Sequence, residues 1–465
     1  MVHDAGMAMG TRDGEQEELF VTHHQLRTEG HPYYVAVNKV LAEQGFDRFV
    51  EDACRKFYAR KMGRPGVAPG VYVRCLLLGY FEGIDSERGI AWRADDSLSL
   101  RAFLGIPASK HAPDHSTISR TRRLIDLETH QAIFSWVLGV LDRAGLIRGK
   151  TLGVDGTTLE ANAAMKSIVR RDDGRSYEEF LKDLAKSSGI ETPTREDLAR
   201  IDRKRKKKGA NADWYNPHDP DAKITKMKDG RTHLAHKEEH AVDMDTGAVV
   251  AVTLQGATDG DTSTLEGTLE AAEKNLDDAR EHAGEDSKRT HEPTEVVADK
   301  GYHSKMVMLS LQLAGWRSYI AEPRRGRQHW EDEMEERDAV YANRRRKNGQ
   351  RGRRLMRRRG EVIERTFAHA FETGGMRRTH LRHHENIAKR LLVHIAGFNL
   401  GLLMRKRFGV GKPRCLQGQS AALWAALIAL LDLLASLMRL PGSAIREIRP
   451  GLARLPHPWH VQAAA

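Results

Sequence analysis

Cysteine is nearly missing from this chain. Cys54, Cys75 and Cys415 are the three among 465 residues, far apart and without a Cys-x2-Cys pair. That excludes a disulfide framework and a four-ligand zinc module. Each cysteine is expected to be a small buried apolar residue. A secretory leader is missing too: the opening "MVHDAGMAMGTRDGEQEELF" has no basic-then-apolar pattern, so the protein is expected to be cytosolic, in a reducing compartment. Long apolar runs are scarce. "SAALWAALIALLDLLASLMRL", at 420–440, approaches the length of a membrane span, but Asp432 interrupts it and Pro441-Gly442 ends it. It is expected to be a buried or partner-packing helix, not a span. No internal repeat is visible.

Positive charge is abundant. The net charge is +11, with 40% hydrophobic and 30% charged residues. This is a globular composition biased toward a polyanionic partner, and nucleic acid is the commonest one. The bias is uneven. From Arg324 to Arg359, 14 basic residues stand against 6 acidic, a surplus of 8. This stretch, with "RRRKNGQRGRRLMRRRG", reads as a basic loop over about 323–359. Its Arg344, Arg345, Arg346, Arg357, Arg358 and Arg359 are expected to contact DNA phosphates. A second basic run, "RKRKKKG", lies at 203–209.

Three regions are predicted. Residues 1–149 read as an all-α N-terminal domain. In it, "NKVLAEQGFDRFVEDACRKFYARK" has helical apolar spacing, "GRPGVAPG" is a turn cluster, and "DHSTISRTRRLI" is a helix capped near Asp114 or Ser116. Residues 150–405 alternate in type. The predicted order is a strand at 151–155, a hairpin over 236–257 around Asp-Thr-Gly, a helix from "DTSTLEGTLEAAEKNL" opened by a capping box, the strand "EVVAD", a helix, the strand "RSYIAE" and further helices. That order suits an α/β fold with a mixed five-stranded sheet flanked by helices, with a basic insertion at about 160–232. Residues 406–465 form a C-terminal tail with the apolar helix.

The chemistry is expected where strands end in acids. The first strand stops at Asp155 and the fourth at Asp299. If those strands are neighbours, both carboxylates project at one end of the sheet. The helix "GEVIERTFAHAF" then offers Glu361, Glu364 or Glu372 as a third acid. Three carboxylates suit Mg²⁺, with Mn²⁺ a possible substitute. Two such ions about 3.5–4 Å apart can activate a water or 3′-hydroxyl and stabilise the leaving oxygen of a phosphodiester. Taken singly, Asp155-Gly156 and Asp299 are also ordinary turn residues.

"GVDGTTLEAN", "ADKGYHS" and "GEVIERTFAH…GGMRRTHLR" resemble the three catalytic regions of DDE transposases from bacterial insertion sequences. "GRPGVAPGVYVRCLLLGYFEGIDSERGIAWRADDSLSLRAFLG" with "DHSTISRTRR" is similar to the helical domain that precedes them. The likeness covers roughly residues 30–405. It implies a ribonuclease H-like catalytic fold with Asp155, Asp299 and Glu364 as metal ligands and catalytic acids. Glu364 is singled out because the matching glutamate precedes Arg-x-Phe. A Tyr-x2-Arg-x3-Glu-x6-Lys signature found in some relatives is reduced here to its glutamate: the positions hold Arg357, Gly360, Glu364 and Phe371. Arg365, Arg377 and Arg378 are expected to supply phosphate contacts instead.

The resemblance implies a transposase that binds the terminal inverted repeats of its element, cuts the ends and joins the 3′-hydroxyls to target DNA. Its partner would be double-stranded DNA, held by a homodimer, with no membrane and no small-molecule substrate. The alternatives are a catalytically inactive DNA-binding regulator and a stand-alone nuclease of the same fold. Ser116, Ser119, Arg120, Arg122 and Arg123 are expected to touch DNA from one helix. His233, His236 and His240 have no cysteine nearby and are not read as a zinc site. Tyr302 and His303 are expected to position DNA or to pack. Trp92, Trp136 and Trp316 are expected in the core.

Overall fold

Among the described residues seven helices fill the first region, and capping chemistry sets where they start. The computed structural model describes Met7–Ala8 and residues 30–59, 64–107, 110–205, 209–227, 230–324, 326 and 328–416. Helices α1 (Pro32–Glu43) and α3 (Pro69–Glu82) carry proline in the first turn, where a missing N–H costs no bond. Between them, α2 (Phe46–Cys54) is separate from α1 because Gly45, at φ 71°, breaks the periodic run. Helices α4 (Glu87–Asp95), α5 (Leu98–Leu104), α6 (His115–Leu124) and α7 (Leu127–Arg143) follow Ser86, Ser97, Asp114 and Asp126. Each of these side chains accepts the backbone N–H three residues on. The cap of α6 is therefore Asp114.

Helix α3 is buried from Pro69 to Phe81, Arg74 included. The Arg74 guanidinium donates to both Asp47 oxygens, at 2.5 and 2.9 Å, to Asn38 Oδ1 at 3.0 Å and to the Gly70 carbonyl at 3.1 Å. A charge so enclosed is tolerated only when fully paired, and removing Asp47 would strand it. Cys54 and Cys75 are buried, and burial pushes both thiols up to about 12. Trp136 and Trp316 are core residues, but Trp92 is not: it is 66% exposed on α4.

The sheet has six strands rather than five. They are β1 (Thr151–Glu160), β2 (Lys223–Lys226), β3 (Thr232–Asp243), β4 (Val249–Gly256), β5 (Glu295–Ala298) and β6 (Arg317–Ile320). The order is β6–β5–β1–β3–β2, with β4 also paired to β3. The addition is β2, which extends the first residues of β3. Strands β1, β3 and β4 form an antiparallel meander, and β5 and β6 run parallel to β1. β1 does not stop at Asp155. It stays paired with β3 as far as Glu160, so Asp155-Gly156 is extended backbone, not a turn.

Helix α10 (Asp261–Ala283) covers one face of the sheet. The predicted capping box is not formed: the N-cap is Gly260, and the Asp261 carboxylate turns instead to Lys237 at 2.7 Å. Helix α11 (Lys305–Leu313) joins β5 to β6. The predicted basic loop is largely two helices, α12 (Met334–Asn348) and α13 (Gln350–Ala368). Arginine and lysine are good helix formers, and each helix has a small inward face: Ala339, Val340 and Asn343 on α12, and Gly352, Leu355, Ile363 and Thr366 on α13. Helix α14 (His384–Phe408) packs on α3, α7 and β4. It is long and apolar enough to cross a membrane by length and composition, but its apolar residues are buried inside the fold.

The insertion holds α8 (Tyr177–Ser187) and α9 (Arg195–Lys204), each opened by a capping box. It has its own small core around Ile168, Trp214, Ala222 and Ile224. By compactness the chain divides into Met1–Gly411 and Lys412–Ala465. The predicted helix at 420–440 lies outside the described residues.

Gly375, between α13 and α14, has φ 79°, and a Cβ there would sit 2.6 Å from the Gly83 carbonyl oxygen at the end of α3. Neither the backbone angle nor the space admits a side chain. Gly375→Ala is expected to destabilise the protein by about 1–3 kcal/mol, read as a lower denaturant midpoint. An unchanged midpoint would mean that this contact is loose in solution.

Candidate active site

The ladder between β1 and β5 pairs Thr151 with Glu295, Leu152 with Val296 and Gly153 with Val297. Continued two residues beyond the last paired residues, the same register would set Asp155 beside Asp299. Asp299 is still extended, at φ −80° and ψ −176°, so strand alternation holds through it. Residues 151, 153 and 155, with 295, 297 and 299, therefore share one sheet face. Helix α13 lies across that face. Arg351 is ion-paired with Glu295 and reaches Thr151 Oγ1 at 3.3 Å. Ile363 packs over Gly153, where a Cβ would meet its Cδ1 at 2.8 Å. Arg359 Nη1 donates to Asp155 Oδ2 at 2.7 Å.

Burial pushes the Asp155 carboxyl above its ordinary range. The Arg359 guanidinium opposes that shift, and the charge of Asp299 adds to it. The Arg359 guanidinium is thus the positive charge that offsets the burial of Asp155.

The "ADKGYHS" segment explains its own composition. Asp299 Oδ1 accepts the Gly301 N–H at 2.7 Å and so caps the 3-10 turn Lys300–Tyr302. Gly301 must be glycine, because a Cβ would lie 2.2 Å from Asp261 Oδ2. Tyr302 is buried, and its hydroxyl donates to Glu239 Oε1 at 2.9 Å. Burial pushes the Tyr302 phenol up, and the Glu239 charge adds to that shift. His303 is buried, and Ser304 caps α11 by accepting the Val307 N–H at 3.1 Å. Tyr302 thus belongs to a polar belt on the α10 face. Glu239 there also accepts from Thr264 and Thr268, at 2.6 Å each, and from Lys237 at 2.8 Å.

Glu364 is exposed on α13, five residues past Arg359 and one past the buried Ile363. Glu361 forms an i,i+4 pair with Arg365 at 2.9 Å, and Glu372 pairs with Arg377. Arg378 lies 3.8 Å from Glu160. The other arginines of the basic stretch divide. Arg344 is bidentate on Glu322, at 2.9 and 2.6 Å. Arg346 donates to the Ser318 carbonyl and hydroxyl, at 3.1 and 3.0 Å. Arg358 donates to the Asp245 carbonyl at 3.0 Å. Arg345 and Arg357 are exposed.

On α6 one expectation fails. Arg122 is buried, ion-paired with Glu87, and bonded to Asn386 at 3.4 Å and Ser119 Oγ at 3.3 Å. It ties α6 to α4 and α14, so it is not available to DNA, and it also occupies Ser119. Ser116, Arg120 and Arg123 are exposed.

Sequence reasoning missed Arg359 as the partner of Asp155, and the Lys237–Glu239–Asp261 belt. The signal was "HKEEH" in a central strand, five polar residues that are all buried. It also missed a grouping of Asp219, Asp221 and His383 whose ligand atoms lie within 4.8 Å of one another. Those carboxylates accept the N–H groups of His383 and His384, at 3.1 and 2.9 Å, and so cap α14. His236 backs Asp219 at 3.3 Å and meets His384 at 3.0 Å.

Against family models, residues 21–124 match a transposase domain (DUF772) and residues 187–400 match the transposase DDE domain. The second match takes in Asp299 and Glu364, while Asp155 falls between the two. No curated protein and no solved structure matches the chain. The two matches define a DNA-transposing class of protein. The chain belongs to the DDE-type transposases of insertion sequences.

Tyr302→Phe deletes a hydrogen bond to a buried carboxylate and is expected to cost about 1.5–3 kcal/mol in chemical denaturation. In Glu239→Gln the same change should cost less, since the coupling partner has lost its charge; equal costs would mean that the bond does not carry the coupling.

Proposed function

We propose that this transposase binds the terminal inverted repeats of its own element, cleaves the DNA ends and transfers the freed 3′-hydroxyls to target DNA. Asp155, Asp299 and Glu364 act as the catalytic acids on a ribonuclease H-like sheet. The reading is supported by the β1–β5 register, which leads toward Asp155 and Asp299 on the face crossed by the Glu364 helix. The strand order, an antiparallel meander followed by two parallel strands, supports the ribonuclease H-like reading.

The donor set is all carboxylate oxygen, which suits Mg²⁺ or Mn²⁺. The mutual repulsion of Asp155 and Asp299 fits a cation between them. When bound, two divalent ions would activate the attacking water or hydroxyl and stabilise the leaving oxygen. The residues themselves do the rest. Asp155 and Asp299 fix ligand oxygens from two parallel strands, and Glu364 adds a third from the helix. Arg359 shields Asp155 and stands ready to receive a phosphate. The exposed Arg345, Arg357, Arg365, Arg377 and Arg378 hold the sugar–phosphate backbone, with Ser116, Arg120 and Arg123 at the helical end. We assign end binding to the helical domain at 1–149, catalysis to 150–405, and synapsis of two ends to a homodimer.

The test is cleavage and strand transfer on DNA carrying the element's ends, with Mg²⁺ or Mn²⁺. Asp155→Asn, Asp299→Asn and Glu364→Gln are each expected to lower activity at least roughly a hundredfold while end binding persists. End binding with no activity even in wild type would indicate a DNA-binding regulator. Cleavage without joining or end preference would indicate a nuclease.

A further inference from the structure

His240 stands directly opposite Asp155 in the β1–β3 ladder and is fully buried. Its Nδ1 lies 2.8 Å from Thr366 Oγ1, and its Nε2 lies 2.7 Å from Glu238 Oε1. The ring stacks on Phe367, with centroids 4.2 Å apart and planes 16° apart. Thr366 and Phe367 are the second and third residues after Glu364 on α13.

Hydrogen-bond accounting fixes the protons. A hydroxyl has one hydrogen, and Thr366 gives it to the Ile363 carbonyl at 2.8 Å. Its oxygen therefore accepts from His240, and Nδ1 carries a hydrogen. Nε2 then faces a carboxylate oxygen, and two lone pairs at that distance would repel. One further proton must lie between Nε2 and Oε1. Glu238 itself has no exposure, and its Oε2 is buried without a hydrogen-bond partner among the described residues. A carboxyl enclosed like this is expensive unless it shares charge or a proton with its neighbour.

We propose that Glu238, His240 and Thr366 form a positioning relay that holds the helix bearing Glu364 at a fixed rotation and height over the strand bearing Asp155. The inference rests on reading Asp155, Asp299 and Glu364 as the metal-binding acids. The apolar contact beside the relay, Ile363 over Gly153, resists separation but is not directional, and the Arg351 and Arg359 pairs reach the sheet through long side chains that can follow a small slide or turn of the helix. The relay is directional. Its two hydrogen bonds run from the sheet to the helix through a rigid ring, and Phe367 covers that ring. A carboxylate that must meet two others around one cation tolerates little error in placement. Glu238, His240 and Thr366 are positioning residues, since they reach the cation only through α13.

The test uses the full-length protein and Mg²⁺ or Mn²⁺ alone, with the dissociation constant read by titration calorimetry and folding read by thermal denaturation. Thr366→Val removes the acceptor while keeping shape, and His240→Phe keeps the stack while removing both bonds. Each is expected to weaken metal binding by about 10–100-fold. Thr366→Ser and Glu238→Gln are expected to restore wild-type affinity. Serine keeps the acceptor oxygen, and the glutamine amide can donate to the Nε2 of a neutral imidazole. The ¹⁵N signals of His240 should report a protonated Nδ1 in wild type.

A folded Thr366→Val protein that melts lower but binds metal as wild type does would overturn the relay. So would an unprotonated Nδ1. If Asp155→Asn and Glu364→Gln also leave metal affinity unchanged, the reading of the acids falls as well. If they abolish binding while Thr366→Val and His240→Phe do not, the relay alone falls.

Discussion

One helix crossing two parallel strands governs this structure. Helix α13 touches β5 through Arg351, β1 through Ile363 and Arg359, and β3 through Thr366 and Phe367. The crossing is close because β1 has glycine at 153, where a side chain would meet both Met244 and Ile363. Almost everything at the site follows from it. The helix brings a guanidinium to Asp155, and its exposed Glu364 follows directly on the Ile363 that packs over Gly153.

The two faces of the sheet solve the same difficulty in different ways. Strand β3 puts charged and polar side chains into the interior on both sides, a costly arrangement unless every group is matched. On the α10 side, Lys237 is shared between the carboxylates of Glu239 and Asp261, with Tyr302 and two threonines completing the bonds. On the α13 side, Glu238 and His240 share their burden. The first arrangement holds the turn after Asp299 and the second holds the helix, so both surround the acids with rigid neighbours.

Much of this was legible in the sequence. A cap at Asp114 or Ser116 marked the start of α6, the Asp-Thr-Gly turn marked the β3–β4 hairpin, and the strands carrying residues 151–155 and 295–298 were read as neighbours on condition of the strand order now seen. What failed did so for physical reasons. Asp155-Gly156 reads locally as a turn, yet nine consecutive pairings with β3 override that tendency. The arginine-rich stretch reads as a solvated loop because its inward face is only a few small residues wide. Arg122 looked like a reader of DNA on a basic helix, but its tertiary partner Glu87 lies 35 residues away. "HKEEH" hid its role because a strand covered on both faces loses the alternation that marks a half-exposed one.

The helical region and the sheet are not beads on a string. Helix α7 packs against α10 and α14, and α3 packs against α14, so residues on both sides of position 149 enclose the same interior. The Gly83–Gly375 approach adds a backbone-to-backbone seam between them. Severing the chain there would bare two oily surfaces rather than release two tidy modules. Grafting a different front half onto this sheet would therefore demand refitting the shared interior.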